Sequence, residues 1–281
     1  MNNEKAIVII GPTASGKSDL AIKLALERNG EVISVDSRQI YRGMDIGTGK
    51  INPSDQALVP HHLLDICNPG EDYNVSDFLK DAQRIENDIR ARGKLPIFCG
   101  GSLFWIESYL KKSAFPLVPP NPTLRTQLGS STSKSLFEEL QAKDPERART
   151  IDPKNKVRLI RALEIIEALG SVPALVQESG YTENYEIITL NPERAVLRER
   201  IEKRLTERFE QGMITEVEDL LAQGVTHQWL QKIGLEYKFI SLYLQKKLTE
   251  EEMKEQLSNA IWHYAKRQIT FLKRFVNTEE R

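Results

Sequence analysis

Two consecutive stretches near the start of the chain decide its fold: Ala6-Ile7-Val8-Ile9-Ile10 and Gly11-Pro12-Thr13-Ala14-Ser15-Gly16-Lys17-Ser18. The first is a continuous apolar run typical of a buried β-strand, and the residues after Ser18 have the apolar spacing of an amphipathic helix. The loop between them matches G-x-x-x-x-G-K-[ST], the phosphate-binding P-loop. Its glycines let several N–H groups point into one concavity, Lys17 supplies a mobile charge for the outer phosphates, and the Ser18 hydroxyl suits Mg²⁺. The pattern predicts a di- or triphosphate site but does not specify the reaction.

Three further β-type runs alternate with helical patterns: Glu31–Val35, Leu95–Cys99 and Tyr185–Leu190. We therefore predict an α/β fold, a P-loop NTPase-like parallel sheet flanked by helices, with a helical insertion and a helical C-terminal region. Because strand carboxyl ends face the ligand crevice, Asp36 and the segment Gly100-Gly101-Ser102 are expected beside the P-loop. An aspartate after a strand is equally typical of a turn or a helix N-cap, so the residues alone leave the role of Asp36 open.

The composition changes between the predicted strands Leu95–Cys99 and Tyr185–Leu190. A linker is indicated by four prolines, Pro116, Pro119, Pro120 and Pro122. Helices are then predicted from Ser130 through Leu140 and from Val157 to Leu169. We predict two structural parts: a catalytic core of residues 1–112 and 183–281, and a helical insertion of residues 113–182.

The bulk composition bounds the class of protein. The 281 residues are 40% hydrophobic and 28% charged with a net charge of −1, which suits one large domain or a core with one insertion. No apolar run approaches the roughly 20 residues of a membrane span, and the N-terminus leads directly into the first strand. We expect no signal peptide, no membrane partner, a cytoplasmic location and, without a coiled-coil pattern, a monomer. Cys67 and Cys99 form no disulfide framework, and the adjacent His61 and His62 do not indicate a metal site.

Two predicted C-terminal helices carry many charges. The first, Glu193 to Glu210, mixes arginines with glutamates as a solvated face of i,i+4 pairs does. The second, about Thr249 to Phe275, begins acidic and ends basic, with aromatic rings among its lysines and arginines. This change from negative to positive charge along the helix suits the helix dipole. The combination of aromatic and basic residues is also typical of RNA-contact surfaces. The residues alone leave both interpretations open.

Six stretches, in family order along the chain, resemble the tRNA dimethylallyltransferases, also called isopentenyl-tRNA transferases. Many nucleotide-binding proteins share the P-loop, but the D-S-x-Q-x-Y, D-I-G-T and A-K-R-Q-x-T elements are much more specific together. Because the chain ends soon after its last helix, the resemblance is to bacterial members, and we expect no zinc-finger extension. The stretches are Gly11–Ser18, Ile33–Lys50, Val59–Ile66 with Tyr73–Phe78, Gly100–Trp105, Arg158–Glu164 and Tyr264–Phe271.

The resemblance implies a reaction. Members of this family transfer a dimethylallyl group from dimethylallyl diphosphate to N6 of the adenosine at tRNA position 37, in tRNAs that read codons beginning with U, and release diphosphate. It also implies Mg²⁺ as cofactor, ligated by Ser18, and catalytic roles for Asp36, Thr13 and Lys17. Diphosphate would be bound by Gly11, Pro12, Thr13, Ala14, Ser15, Gly16, Lys17, Ser18 and Arg204. The tRNA, which the insertion would also contact, would be bound by Asp36, Ser37, Arg38, Gln39, Ser102, Arg125, Arg158, Lys266, Arg267 and Gln268.

The chain departs from the usual pattern of this family at several positions. Most of them lie in or near the parts assigned to tRNA handling, so they bear on tRNA binding more than on the chemistry. The departures are Ser102 for Thr, Trp105 for Tyr, Gly49 for Ala, Asn155 for Asp, Leu169 for Thr, and Ile233-Gly234-Leu235-Glu236-Tyr237 for I-G-Y-[KR]-[EQ].

Two other functions would use the same P-loop. A small-molecule kinase would bind ATP there, with arginines of the insertion clamping the γ-phosphate and Asp36 as its base. A non-catalytic nucleotide-binding switch is the other. The D-S-x-Q and Y-A-K-R-Q-x-T segments, for which such a kinase has no evident use, favour the transferase.

Overall fold

The structure, a computed structural model, describes residues 4–177 and 183–276, with only the backbone of residues 274–276. The chain divides into two compact units, one formed by the residues up to Lys111 and those after Glu178, the other by Lys112–Glu178. Each unit has a hydrophobic core of its own. The predicted boundary after residue 182 falls at the edge of a segment that lies outside the described residues.

The first unit is built on five strands, β1 (Ala6–Ile10), β2 (Gly30–Ser34), β3 (His61–His62), β4 (Leu95–Gly100) and β5 (Tyr185–Thr189). Their order in the sheet is β3-β2-β4-β1-β5, and all neighbouring pairs are parallel. This confirms the predicted α/β class. The sequence pattern does not reveal β3, because a two-residue polar edge strand has no apolar run.

Alternate residues of β1 face opposite sides of the sheet and contribute to two separate cores. Val8 belongs to the larger core, which includes Phe98 of β4, whereas Ile7 and Ile9 pack with Ala21 of the following helix. All of β1 is buried, as is typical of a central parallel strand. The P-loop is therefore attached to the interior of the sheet.

The helices of the N-terminal half are α1 (Lys17–Glu27), α2 (Pro53–Leu58), α3 (Val75–Ala91) and α4 (Leu103–Leu110). Helix α3 begins with a capping box: the Asn74 side chain accepts a hydrogen bond from the Ser76 N–H, and Asp77 accepts one from the Asn74 N–H. Its apolar stripe, which includes Phe78 and Ile89, is buried. In the sequence, the spacing of this stripe predicts a helix from about Ser76 to Arg92, and the structure confirms it within one residue at each end.

The second unit contains α5 (Pro122–Gly129), α6 (Ser133–Lys143), α7 (Pro145–Thr150) and α8 (Lys156–Leu169). Four leucines contribute to its core, Leu136, Leu140, Leu159 and Leu163. The interpretation of Pro122 as part of a linker is wrong. Pro122 is the first residue of α5, where its missing N–H leaves no bond unmade, and Asn121 caps the helix by accepting from the Leu124 N–H.

The C-terminal part of the first unit contains α9 (Arg194–Glu210), α10 (Met213–Ala222), α11 (His227–Ile233), α12 (Leu235–Leu244) and α13 (Glu250–Val276). Helix α13 begins after Thr249, whose hydroxyl accepts from the Glu252 N–H. Its buried stripe has the three-and-four spacing of an amphipathic helix, with Met253, Leu257, Ile261, Ala265, Ile269 and Leu272. In residues 4–177 and 183–276, no helix is long and apolar enough to cross a membrane.

The cap of α8 provides a test of one departure from the family pattern. The Asn155 side chain accepts a hydrogen bond from the Arg158 N–H at 3.1 Å. Since aspartate accepts the same bond, we expect Asn155→Asp to keep wild-type stability, whereas Asn155→Ala should lower the free energy of unfolding by about 1 kcal/mol. Urea and thermal denaturation of both variants check this. Equal stability of Asn155→Ala and wild type would contradict a stabilising cap.

Candidate active site

The P-loop connects β1 to α1, as the sequence predicts. Gly16 directly precedes α1 with φ +89°, in the left-handed region that favours glycine. A Cβ on Gly11 would lie only 2.5 Å from the backbone oxygen of Leu190, so glycine is required for this close approach. The first N–H groups of α1 have no helical partner, and together with the helix dipole they form an anion site.

The Lys17 side chain folds back onto the P-loop. Its Nζ donates to the backbone oxygen of Pro12 at 2.7 Å and approaches the Ser15 hydroxyl at 3.5 Å. Burial lowers the pKa of Lys17 to about 8; the positive charge of Arg204 also lowers it, against the opposing effects of Cys99 and Asp36. A poorly solvated ammonium is stabilised by any anion that enters the loop.

Arg204 reaches the same loop from α9, almost two hundred positions along the chain. Its Nη2 donates to the Thr13 hydroxyl. Burial, and then the neighbouring Arg208, lower the pKa of Arg204 to about 10, which leaves it protonated at neutral pH. The structure thus brings together the predicted Thr13, Lys17 and Arg204, with two partly desolvated cations at one anion site.

Asp36 follows β2 and closes a tight turn. Its Oδ1 accepts from the N–H groups of Arg38 at 2.9 Å and Gln39 at 3.4 Å. The turn role is therefore present, and it uses one carboxylate oxygen. Among the described residues Oδ2 has no hydrogen-bond donor, so this oxygen is available to a substrate group.

Hydrogen bonds join the loops around this turn. The Ser37 N–H donates to the Ser102 hydroxyl at 3.1 Å. Gln268 of α13 accepts from the Thr13 N–H at 2.9 Å, and its amide nitrogen donates to the Gly101 oxygen at 2.9 Å. Gln268 is buried, so its amide holds the P-loop and the loop after β4 together. Its predicted contact with tRNA stays a prediction.

One face of α13 carries the aromatic and basic residues. Arg38 lies 5.9 Å above the centre of the Tyr264 ring, and Arg267 lies 5.8 Å from the same ring. Burial, with a contribution from Asp36, raises the pKa of Tyr264 to about 12. Lys266 lies 5.8 Å from the Trp262 ring. Lys266 and Arg267 border a surface groove that is also lined by His263, Thr270 and Phe271.

In the second unit, the two predicted tRNA contacts differ in their surroundings. Arg125 donates through Nε and Nη2 to the two oxygens of Glu164, at 2.8 and 3.0 Å. Burial alone would raise the pKa of the Glu164 carboxyl, but bonds from Arg125, the Asn121 N–H and Arg161 lower it to about 2. Arg158 is exposed. The guanidinium of Arg125 is thus already paired with Glu164, whereas Arg158 is exposed to solvent.

Sequence reasoning missed a set of residues that hold the loop between Asp36 and Lys50. Glu216 of α10 accepts hydrogen bonds from three backbone N–H groups of this loop, and Arg208 of α9 donates to the Gly47 oxygen. No local signal identifies them, because the Glu216 bonds span 169 to 171 residues of sequence.

Comparison with known proteins identifies the family. The model of the IPP transferase family matches residues 39–275, and that of the isopentenyl transferase family matches residues 4–61. The tRNA dimethylallyltransferase 2 of Syntrophotalea carbinolica is 42% identical over 95% of this chain and 89% of its own length. The tRNA dimethylallyltransferase 1 of Parabacteroides distasonis is 43% identical over 97% and 89%.

Solved structures give the same result. The tRNA isopentenylpyrophosphate transferase of Bacillus halodurans is similar with a TM-score of 0.70 and 38% identity, covering 96% of this chain and 87% of that one. A eukaryotic dimethylallyltransferase, crystallised while acting on tRNA, has a TM-score of 0.77 and 26% identity, with coverage of 96% and 70%. A small-molecule kinase is not favoured by these similarities, and this chain belongs to the tRNA dimethylallyltransferase family.

Proposed function

We propose that this protein transfers the dimethylallyl group of dimethylallyl diphosphate to N6 of the adenosine at tRNA position 37, in tRNAs that read codons beginning with U. The observation that carries the proposal is the arrangement at the P-loop. Two desolvated cations, Lys17 and Arg204, share an anion site, and hydrogen bonds link this loop through Gln268 and Gly101 to the neighbourhood of Asp36.

The leaving group determines what the P-loop has to do. As the bond between the allylic carbon and the diphosphate oxygen breaks, negative charge builds on the diphosphate. The N–H groups at the start of α1, the Lys17 ammonium and the Arg204 guanidinium would stabilise that charge. Thr13, held by Arg204, would keep the donors in place. The same groups would thus act on a carbon–oxygen bond instead of presenting phosphorus to a nucleophile.

The nucleophile needs a base, whereas the leaving group needs positive charge. Adenine N6 is a weak nucleophile and loses a proton as its bond to the allylic carbon forms. The Oδ2 of Asp36 is suited to accept that proton, while Oδ1 stays in the turn bonds to Arg38 and Gln39. The base would have to leave its stack to reach this position, as in other enzymes that modify bases.

Mg²⁺ is usually held by one or two protein ligands together with phosphate oxygens of the substrate, and the residues present fit this pattern. In the described part of the chain, no cluster of three or more histidine, cysteine or acidic side chains could bind a metal ion. The Ser18 hydroxyl is exposed in the first turn of α1. Ser18 and the oxygens of the diphosphate would therefore hold the ion. When bound, it would neutralise part of the diphosphate charge.

The remaining partners follow from composition and charge. We propose that the basic and aromatic face of α13, together with Ser37, Arg38 and Ser102, contacts the anticodon stem-loop, and that Arg158 adds a phosphate contact from the second unit. We also propose that the enzyme acts as a cytoplasmic monomer.

The activity and the role of Asp36 are tested together. With Mg²⁺, unmodified tRNA and labelled dimethylallyl diphosphate, the wild type should label tRNA. Asp36→Asn keeps the Oδ1 acceptor but loses the base, so kcat should fall about 100-fold or more with tRNA affinity unchanged. The exposed Asp219→Asn is the matched control and should behave as wild type. Phosphoryl transfer from ATP without label in tRNA would overturn the proposed function, and an equal loss of rate and affinity would reduce Asp36 to a turn residue.

The pKa of Lys17 predicts a pH dependence. Below about pH 8 the lysine is charged, so the affinity of the free enzyme for dimethylallyl diphosphate should be constant between pH 7 and 7.5. At higher pH it should fall, by at most about tenfold per pH unit, because the charge is lost before binding. Calorimetric titrations from pH 7 to 9.5 measure this. Lys17→Met should bind more weakly and without this fall, and a flat wild-type profile would contradict the assignment.

The role of the α13 face is tested through salt. Replacing Lys266 and Arg267 by alanine should weaken tRNA binding and reduce the slope of log affinity against log salt by about one for each phosphate that these side chains neutralise. Filter binding at several salt concentrations measures both quantities. Lys254→Ala, on the acidic first turns of α13, is the control. An unchanged slope in the double variant would mean that the basic end only matches the helix dipole.

A further inference from the structure

The side-chain amide of Gln39 is already committed inside the protein. Its nitrogen donates to the backbone oxygens of Gly49 at 3.1 Å and Thr48 at 3.4 Å. Its oxygen accepts from the Ser34 hydroxyl at 3.1 Å. Both nitrogen partners are carbonyl oxygens, so the orientation of the amide follows from its neighbours. The position of Gln39 therefore depends on the loop that supplies those two oxygens.

On one side, that loop is held by a single carboxylate, that of Glu216. Glu216 Oε2 accepts from the N–H groups of Asp45 at 2.8 Å and Ile46 at 2.6 Å, and Oε1 accepts from the Gly47 N–H at 3.0 Å. Three consecutive N–H groups that converge on one anion form a nest. The Tyr237 hydroxyl adds a fourth bond, to Oε1 at 2.8 Å. The backbone of residues 45–47 is thus fixed from α10 and α12.

The opposite side of the loop is equally restrained. Tyr237 is fully buried, and a Cβ on Gly47 would lie 2.7 Å from its ring. Arg208 donates to the Gly47 oxygen at 3.2 Å. These contacts act on Gly47, whereas the N–H groups of Asp45 and Ile46 are held by Glu216.

We propose that Glu216 is a positioning residue for the prenyl acceptor: by fixing the 45–47 backbone it fixes the Thr48 and Gly49 oxygens, these fix Gln39, and Gln39 fixes the turn that carries Asp36. The last link is the bond from the Gln39 N–H to Asp36 Oδ1 at 3.4 Å. The effect reaches the acceptor base and not the diphosphate, because the P-loop is held by separate contacts from Arg204 and Gln268. This inference rests on the proposed function.

The test replaces the carboxylate with its amide. In Glu216→Gln, an NH₂ group must face N–H or O–H donors, so up to two of the four bonds are broken. Hydrogen exchange at Asp45, Ile46 and Gly47 should become faster. The kcat/KM for tRNA should fall about 10- to 100-fold, the range expected for a misplacement near 1 Å, while the Kd for dimethylallyl diphosphate stays within about twofold of wild type because the P-loop contacts remain.

Two further variants make the result decisive. Glu218→Gln, the same change at an exposed position of α10, should match the wild type in every measurement. Tyr237→Phe removes one donor and should give a smaller loss of kcat/KM in the same direction, and it decides the outcome should Glu216→Gln fail to fold. Faster exchange with unchanged kcat/KM would overturn the inference, as would an equal loss of diphosphate affinity. If wild type and Glu218→Gln both leave tRNA unlabelled, the proposed function itself fails.

Discussion

The whole arrangement depends on keeping two positive charges partly out of water at one loop. An isolated desolvated cation is unfavourable, and burial accordingly lowers the pKa values of both Lys17 and Arg204. The fold supports it by burying β1 between β4 and β5 and by placing Arg204 of α9 against the P-loop. An anion with two or more charges would relieve that cost, and the diphosphate of the proposed reaction is such an anion.

Opposite ends of the chain meet at this loop. Gln268, close to the C-terminus, joins the Thr13 N–H to the Gly101 oxygen, and Ser102 joins the loop after β4 to the Asp36 turn. A displacement of α13 would therefore disturb the site where the diphosphate is expected. If tRNA binds along α13, as proposed, it contacts a helix that is hydrogen-bonded directly to the P-loop.

The sequence predicts the parts whose signals are local. The apolar run, the P-loop spacing, the apolar spacing of α3 and the charge pattern of α13 identify the sheet, the phosphate loop and the long helices. The structure adds what depends on partners far apart in sequence. Pro122 begins a helix instead of a linker because Asn121 caps it, the fork of Arg125 is taken by Glu164, 39 residues away, and Glu216 reaches a loop some 170 residues away. Residue type and spacing cannot reveal such pairs.

Two departures from the family pattern, Gly49 and Glu236, lie against the same buried arginine, Arg208. Gly49 has φ +61°, and a Cβ there would lie 1.7 Å from Arg208 Nη2, so the guanidinium occupies the space that alanine would need. Arg208 is buried and pairs with Glu236 at 3.3 Å. Glycine at 49 makes room for the arginine, and glutamate at 236 neutralises it. Replacing either residue alone would leave a buried charge misplaced or unpaired, so the two positions are expected to change together.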